Sequence, residues 1–433
     1  MPVQDNRLII FTRYPAPGLT KTRLNGSLGP NGAADLHRQM TEYTARWAKT
    51  LCGDCANVEV HHEGGTSAEM TRWLGKGFVY RAQCDGDLGA RMMHALEHSL
   101  RGSNCARHTI IVGIDCPGLS EEIARRAFQA LEQHDIVLGP AADGGYYLIG
   151  LKRPARELFD SMPWSTDQVL QETIQRAAEL RYSVYLLEEL SDVDTPIDLP
   201  VWKNAIRQVE QTDLSVIIPT LDEAGNTATL VDDMRLAGAE VIVADGGSTD
   251  GTADIARKHA AIVVTSSPGR AIQMNAGARA ATRGTLLFLH ADTRLPWDFP
   301  DHVTAALARP GVVAGAFRFR IDTKSIAARI IEFGTNVRCR SRHMPYGDQG
   351  LFLRREVFHS IGGFEEIPIM EDFELVSRLR PQGRIAVIAA PAFTSPRRWE
   401  RLGYFRTTLC NKAVIWGYRL GIPPQRLTQW YRR

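Results

Sequence analysis

Apolar residues along this chain alternate between two patterns. Short unbroken runs of strand length are separated by longer stretches in which apolar positions recur every three to four residues. The runs at 7–14 (RLIIFTRY), 57–64 (NVEVHHEG), 109–115 (TIIVGID), 135–141 (DIVLGPA), 144–151 (GGYYLIGL) and 181–187 (RYSVYLL) predict strands. Between them, 32–51 places Leu36, Met40, Tyr43, Trp47 and Leu51 on one helical face, and 87–100 and 120–133 read as further helices, the last with Ser120 as N-cap. At Leu214 the alternation restarts. Strands are expected at 214–220 (LSVIIPT), 240–247 (EVIVADGG), 261–267 (AIVVTSS) and 285–291 (TLLFLHA), with helices at 226–238, 252–260 and 269–284. Strands alternating with helices predict α/β sheets covered by helices. Two such series predict two domains, 1–208 and 209–433, joined within 194–213 (DTPIDLPVWKNAIRQVEQTD).

A length of 433 residues agrees with two cores rather than one. The composition, 44% hydrophobic and 23% charged with a net charge of +2, is that of an ordinary soluble protein, and any positive field must be local. Near-neutral charge and the lack of an aromatic-basic groove motif argue against nucleic acid as a partner. No apolar stretch has the length of a signal peptide core or a membrane span, and the seven cysteines suit reduced thiols, so a cytoplasmic location is expected. The lone Cys52-x-x-Cys55 has no second pair at zinc spacing.

The chemistry sits where strands stop. In open α/β sheets, ligands bind beyond the carboxyl ends of the strands. In the second series those ends carry Pro219-Thr220 with Glu223, Asp245-Gly246-Gly247 with Asp250, and Asp292. Glycines admit close backbone approach, and carboxylates can accept from a base or ribose or hold Mg²⁺ or Mn²⁺ on phosphate oxygens. Each acid alone also reads as a turn or helix cap, Asp250 before Gly251-Thr252 above all. In the first series, 13–24 (RYPAPGLTKTRL) sets Lys21 and Arg23 in a loop able to wrap phosphate. Asp115, Asp143, Asp192, Asp194 and Asp198 supply acids from distant segments, two of which could share one divalent cation.

The segments 214–226 (LSVIIPTLDEAGN), 241–254 (VIVADGGSTDGTAD) and 284–296 (GTLLFLHADTRLP) resemble the family 2 glycosyltransferases, which have the nucleotide-sugar-binding GT-A fold. The segments 362–380 (GGFEEIPIMEDFELVSRLR) and 394–399 (TSPRRW) are similar to the selenium- or arsenosugar-associated branch. The resemblance covers 214–433. It implies that Asp245 reads the nucleotide base, uridine by default, with Pro219, Thr220 and Glu223 in the same pocket and Asp250 nearby. Asp292 becomes the last acid of a D-x-D motif, touching the metal, although His290 replaces the first. Arg270 is placed to meet diphosphate or base. Asp372, beside Glu371, becomes the base of an inverting transfer, with an acidic helix start as its structural reading. Asp348 and Gln349 in YGDQG read as an acceptor edge or a surface turn.

The first series (7–199) resembles the companion transferase family and, more distantly, GT-A nucleotidylyltransferases such as the molybdenum-cofactor nucleotidyltransferases and the phospholactate guanylyltransferase. That likeness implies phosphate ligands in Lys21 and Arg23 and metal ligands in Asp115 and in Asp192 or Asp194. Both nucleotidyl and sugar transfer stay open, as does a nucleotide-binding module without turnover. The expected fold class is therefore two consecutive GT-A α/β domains. The expected activity is glycosyl transfer from a nucleotide sugar to an unknown acceptor, with a divalent cation and an optional nucleotidyltransferase activity. The basic, aromatic segment after Pro396 (Arg397, Arg398, Trp399, Arg401, Tyr404, Arg406, Lys412, Trp416, Tyr418, Arg419) reads three ways: a cover over diphosphate, a peripheral contact with anionic lipid, or a helix packed on the sheet.

Overall fold

The computed structural model describes residues 6–101, 105–342 and 344–432. The chain divides into two units, Met1–Gln208 and Val209–Arg433. The first holds strands β1 (Asn6–Arg13), β2 (Asn57–Glu63), β3 (Val79–Ala82), β4 (His108–Val112), β5 (Ile136–Pro140), β6 (Tyr146–Leu151) and β7 (Val184–Leu186). Their order in the sheet is β3-β2-β1-β4-β6-β5-β7, with β6 antiparallel to both neighbours and the other pairs parallel. All five residues of β4 and of β5 are buried. Helices therefore cover both faces, as the continuous apolar runs require.

The expected helix at 32–51 is the end of a longer one, Asn25–Leu51, which kinks at Gly29 (φ 69°, ψ 165°) before Pro30. Glycine tolerates that angle, and proline then restarts the helix where its missing N–H costs nothing. The helix Glu121–Gln133 is capped by Ser120, whose Oγ accepts from the Ile123 N–H at 3.4 Å, and it buries Ile123, Ala127, Phe128 and Leu131. Three elements of this unit were not anticipated, the helices Ser67–Leu74 and Val169–Glu179 and edge strand β3. Val79 to Ala82 lacks a buried residue, so no apolar run marks it. Asp87 is the N-cap of Leu88–Leu100, its side chain accepting from the Ala90 N–H. Leu199–Gln208 closes this unit by burying Trp202, edge-on to Tyr43 with ring centroids 5.8 Å apart.

The second unit holds β8 (Leu214–Thr220), β9 (Glu240–Asp245), β10 (Ile262–Thr265), β11 (Thr285–Phe288), β12 (Thr293–Arg294), β13 (Val312–Ile321), β14 (Leu351–Arg354) and β15 (Arg384–Thr394). The order is β10-β9-β8-β11-β14-β13-β15-β12, with β14 antiparallel to β11 and β13. With the short β12 set aside, this is the strand order of the first sheet repeated. Alternate residues feed two cores. Ile217, Ile242, Leu286 and Phe288 join one cluster with Met274, Phe358, Phe364 and Phe373. Val216, Ile218, Val243, Leu287 and Leu289 join the other with Phe299, Phe317 and Phe352. This is the period of two expected of a strand covered on both sides.

Candidate functional site

In the first unit, the loop after β1 carries Lys21 in a left-handed conformation (φ 47°) at the start of the short helix Thr22–Leu24. Its side chain is buried and its Nζ lies 2.7 Å from Asp115 Oδ1 and 2.8 Å from Asp194 Oδ1. It also donates to the Val193 carbonyl at 2.5 Å. Burial alone would lower its pKa, but Asp115 and Asp194 outweigh that and raise it. Arg23 Nη1 reaches Asp194 Oδ2 at 3.3 Å. The backbone joins the same parts, since the Val193 N–H donates to the Asp115 carbonyl at 2.9 Å. Thus the phosphate-loop cations and two of the distant acids meet beyond the ends of β1 and β4. They line a cavity of about 420 Å³ together with Arg13, His37, Gln83 and Arg91. Asp192 lies outside that lining. Burial, with Asp143 and Asp194 nearby, raises its pKa. Asp143 accepts from the Gly145 N–H at 2.9 Å and so holds its own turn. Asp198 caps its turn through Thr195. Arg13, His37 and Arg91 were not singled out from the sequence. Arg13 is the last residue of β1, so the strand-end rule alone would have found it.

In the second unit, register sets Pro219 against Ala244 and Thr220 against Asp245, so the ends of β8 and β9 lie side by side. Asp245 is buried. Its Oδ2 accepts from the N–H groups of Gly247 and Ser248, both at 3.0 Å, and its Oδ1 from Ser248 Oγ at 2.5 Å and Thr220 Oγ1 at 3.4 Å. That carboxylate organises the turn in which Gly247 (φ 92°) occupies a left-handed position. Glu223 stands at the N-cap of Ala224–Leu236 and accepts from Asn226 Nδ2 at 2.9 Å. Asp250 accepts from the Ala224 N–H at 2.9 Å and from the N–H and hydroxyl of Thr252 at 3.0 and 2.5 Å. These bonds, led by that from Thr252, lower its pKa. Asp250 thus ties the β9 loop to the start of the helix that follows β8, which is a cap acting across loops.

The remaining candidates converge beyond β11. Arg270 opens the helix Arg270–Ala280, and its Nε lies 2.9 Å from Glu371 Oε1. Burial pushes the Glu371 carboxyl up against the pull of Arg270, and its Oε2 is buried without a hydrogen-bond partner among the described residues. Asp372, next on the helix Glu371–Leu379, accepts from the Gly347 N–H at 2.6 Å and from the Phe373 N–H at 2.7 Å. A Cβ on Gly347 would stand 3.1 Å from His290 Nε2 and 3.3 Å from Asp372 Oδ2, so both side chains crowd this glycine. Burial, reinforced by Arg270, pushes the His290 imidazole down to about 3 and keeps it neutral, with a nitrogen lone pair to offer. Burial pushes Asp292 up, opposed by Arg397 and Arg270.

Asp348 completes the set. Burial and the nearby charges of Asp372 and Asp292 push its carboxyl up to about 7, and its Oδ1 is buried without a partner among the described residues. Its neighbour Gln349 corrects both readings of that turn. It is fully buried, donating to the Phe317 carbonyl at 2.9 Å and accepting from the Tyr346 N–H at 3.1 Å, so it is neither surface nor acceptor edge. Asn275 exchanges two hydrogen bonds of 2.9 Å with the Phe364 backbone, and Arg378 donates to the carbonyls of Ile361 and Gly363 at 2.5 and 2.7 Å. Those two residues brace the turn leading to Glu371 and Asp372.

Among the described residues, no three His, Cys, Asp or Glu side chains gather closely enough to hold an ion by themselves. In the second unit Asp292 offers a carboxylate and Asp348 an unsatisfied buried oxygen, and a divalent ion held by either would take its other ligands from phosphate and water. In the first unit, Asp115 and Asp194 face one another across an ammonium, which is a geometry that a cation of higher charge could also bridge.

Residues 215–364 match the family described as glycosyl transferase family 2, and residues 47–166 match one described as an uncharacterized protein conserved in bacteria (DUF2064). The succinoglycan biosynthesis protein ExoA of Rhizobium meliloti (strain 1021) is 27% identical over 239 residues, 46% of this chain and 70% of that protein. A protein from Desulfovibrio desulfuricans G20 described as a candidate nucleotide-diphospho-sugar transferase is similar at 30% identity, over 48% of this chain and 89% of that one (TM-score 0.44). Glucosyl-3-phosphoglycerate synthase from Mycobacterium tuberculosis, solved with Mn²⁺, UDP and glucosyl-3-phosphoglycerate, is similar at 20% identity over 51% of this chain and 84% of that one (TM-score 0.37). The chain therefore carries a family 2 domain in its second unit, preceded by a DUF2064 region, and its fold class is the expected pair of consecutive GT-A α/β units.

Proposed function

We propose that this protein, a nucleotide-sugar-dependent glycosyltransferase by its family 2 domain, transfers a sugar with inversion in its second unit and binds a nucleotide in its first. The nucleoside would lie over the ends of β8 and β9, against Pro219, Thr220, Glu223 and the Asp245 turn. The diphosphate would meet Arg270, with Asp292 and His290 holding a Mg²⁺ or Mn²⁺ ion beside it. When bound, that ion supplies Lewis-acid neutralisation of the leaving diphosphate. The acceptor hydroxyl attacks the anomeric carbon, the bond from that carbon to the diphosphate oxygen breaks, and Asp372 takes the hydroxyl proton. Glu371 holds Arg270 in place rather than touching the sugar. The observation that carries this reading is the convergence at Gly347. One glycine brings Asp372, which accepts its N–H at 2.6 Å, together with His290, two residues from Asp292. The test is transfer from a panel of nucleotide sugars, with Mn²⁺ or with chelator, by wild type, Asp292→Asn and Asp372→Asn. Transfer by Asp292→Asn at near wild-type rate would overturn the metal assignment.

The cavity shared by Lys21, Arg23, Asp115 and Asp194 supports a second nucleotide site in the first unit. Its cations suit phosphate oxygens and its acids a divalent ion. Pyrophosphate release from nucleoside triphosphates, lost in Asp115→Asn, would identify it as a nucleotidyltransferase. Nucleotide binding without release would identify a binding module. We place the protein in the cytoplasm, where its seven unpaired cysteines stay reduced.

A further inference from the structure

Two neighbouring helices of the second unit each turn an apolar stripe to solvent. On Ile326–Arg342 the stripe is Ile326, Ile330, Phe333 and Val337. On Tyr404–Arg419 it is Phe405, Leu409 and Trp416, continued by Leu420 at the helix end. All eight side chains are between 49 and 85% exposed. Steps of four, three and four residues along the first helix, and of four and then seven along the second, keep each set on one face. The helices are adjacent. Ala328 of the first is buried in a cluster with Trp399, and Ile331 and Tyr404 pack against it. Scattered single apolar residues on a surface need no explanation, but two such stripes, one on each of two adjoining helices, mark a contact surface.

Charge identifies the occupant. Residues 397–433 carry nine arginines and lysines against the single Glu400. Arg401, Lys412 and Arg426 are exposed, and Lys412 falls on the same helical face as Phe405, Leu409 and Trp416. A second copy of the chain docking through this face would bring like charges together across a twofold axis. Anionic lipid headgroups complement it, with Trp416 suited to the interfacial depth. No helix among the described residues is long and apolar enough to cross a membrane, so the contact lies in the plane of the interface. An apolar groove of about 380 Å³, lined by Leu402, Leu409, Cys410, Ala413 and Trp430, opens along the same helix and offers room for an acyl segment. The segment is also continuous with the cleft, because Arg397 at its start acts electrostatically on Asp292.

We propose that these two helices dock the protein on the surface of an anionic phospholipid bilayer, stripes at the acyl boundary and cations at the headgroups. Flotation of the full-length protein with phosphatidylcholine vesicles, with and without about one third phosphatidylglycerol, tests this. Expected is partitioning at least about tenfold stronger onto the anionic vesicles, falling as salt is raised to about 0.5 M. The variant Phe333→Ser/Phe405→Ser/Trp416→Ser should lose at least about tenfold in partitioning. Arg401→Glu/Lys412→Glu, altered only at solvated positions, should lose the anionic preference without loss of folding by circular dichroism. Folded wild type that floats with neither vesicle would overturn the proposal. So would charge reversal that leaves anionic binding intact, or a dimer by light scattering that closes the face in place of lipid.

Discussion

The two units share a strand order and a place for their chemistry, but they balance charge in opposite ways. In the first, the acid beyond the fourth strand, Asp115, is met by an internal cation. Lys21 sits between Asp115 and Asp194 at 2.7 and 2.8 Å. In the second, the corresponding acid, Asp292, has no such ion pair among the described residues. The guanidinium of Arg270 is engaged by Glu371, while Arg397 and Arg270 act on Asp292 only through their fields. Burial pushes both Asp292 and Asp348 up, and at Asp348 the charges of Asp372 and Asp292 add to it. On the reading proposed above, such acids would favour a divalent cation alongside the diphosphate. A site that has spent its lysine on its own carboxylates is stable without one. To bind phosphate there, Lys21 must release at least one of the two acids, and a divalent ion taking its place would free it to do so.

The largest expected effect lies at the proton acceptor. Asp372→Asn should lower kcat for sugar transfer by about 10²–10⁴-fold while the Kd for the donor stays close to wild type. An equal loss in both would make Asp372 a brace for the Gly347 turn. Next is the cation. Asp292→Asn should cost about 10²–10³-fold in transfer and abolish stabilisation by Mn²⁺ plus nucleotide in thermal unfolding. Asp115→Asn should leave sugar transfer untouched, and a comparable loss there would break the division of labour between the units.

Glu59 on β2 belongs to the first unit's stability rather than its site. Its carboxylate meets Arg81 at 2.8 Å, His61 at 3.0 Å and Arg7 at 3.3 Å. Burial alone would raise its pKa, but these partners outweigh it and bring it down to about 2. The unfolded chain binds this proton more readily, so the stabilisation is complete above the ordinary carboxylate pKa of 4.5 and is lost as pH falls from there towards 2. Glu59→Gln should cost the first unit about 3 kcal/mol at pH 7, with the gap to wild type closing below about pH 3 in calorimetric unfolding. The smallest effect concerns Lys21. Lys21→Met should weaken nucleotide binding in the first unit by about 10–100-fold by titration calorimetry, with transfer in the second unchanged. Unweakened binding would mean that the cation serves only to hold Asp115 and Asp194.

Much of this was written in local pattern. Strand runs and helical faces predicted both α/β series, and the restart at Leu214 lies five residues after the second unit begins at Val209. The strand-end rule drew attention to Asp115, Asp245 and Asp292 because side chains at strand ends must face the open edge of a sheet. Burial patterns carry no comparable mark for β3, an edge strand without a core face, or for β12, two residues long. Which acids do what was decided by contacts far apart in sequence. Asp245 and Asp250 read alike as strand-end carboxylates, yet both spend their oxygens on turn and helix N–H groups. Asp348 reads as a turn residue, yet it is left with an unsatisfied buried oxygen. Lys21 meets Asp194 only because the chain returns 173 residues later to the same edge. The sequence by itself determined most elements of the first unit, those of the second up to β11, and the strand ends where ligands can bind, because periodicity and turn chemistry act over a few residues; strands β13, β14 and β15 were not read from it. Only the tertiary structure decided which carboxylates are paid in hydrogen bonds, which are paired with cations, and which are left for a ligand, because hydrogen bonds and Coulomb forces are settled by neighbours in space.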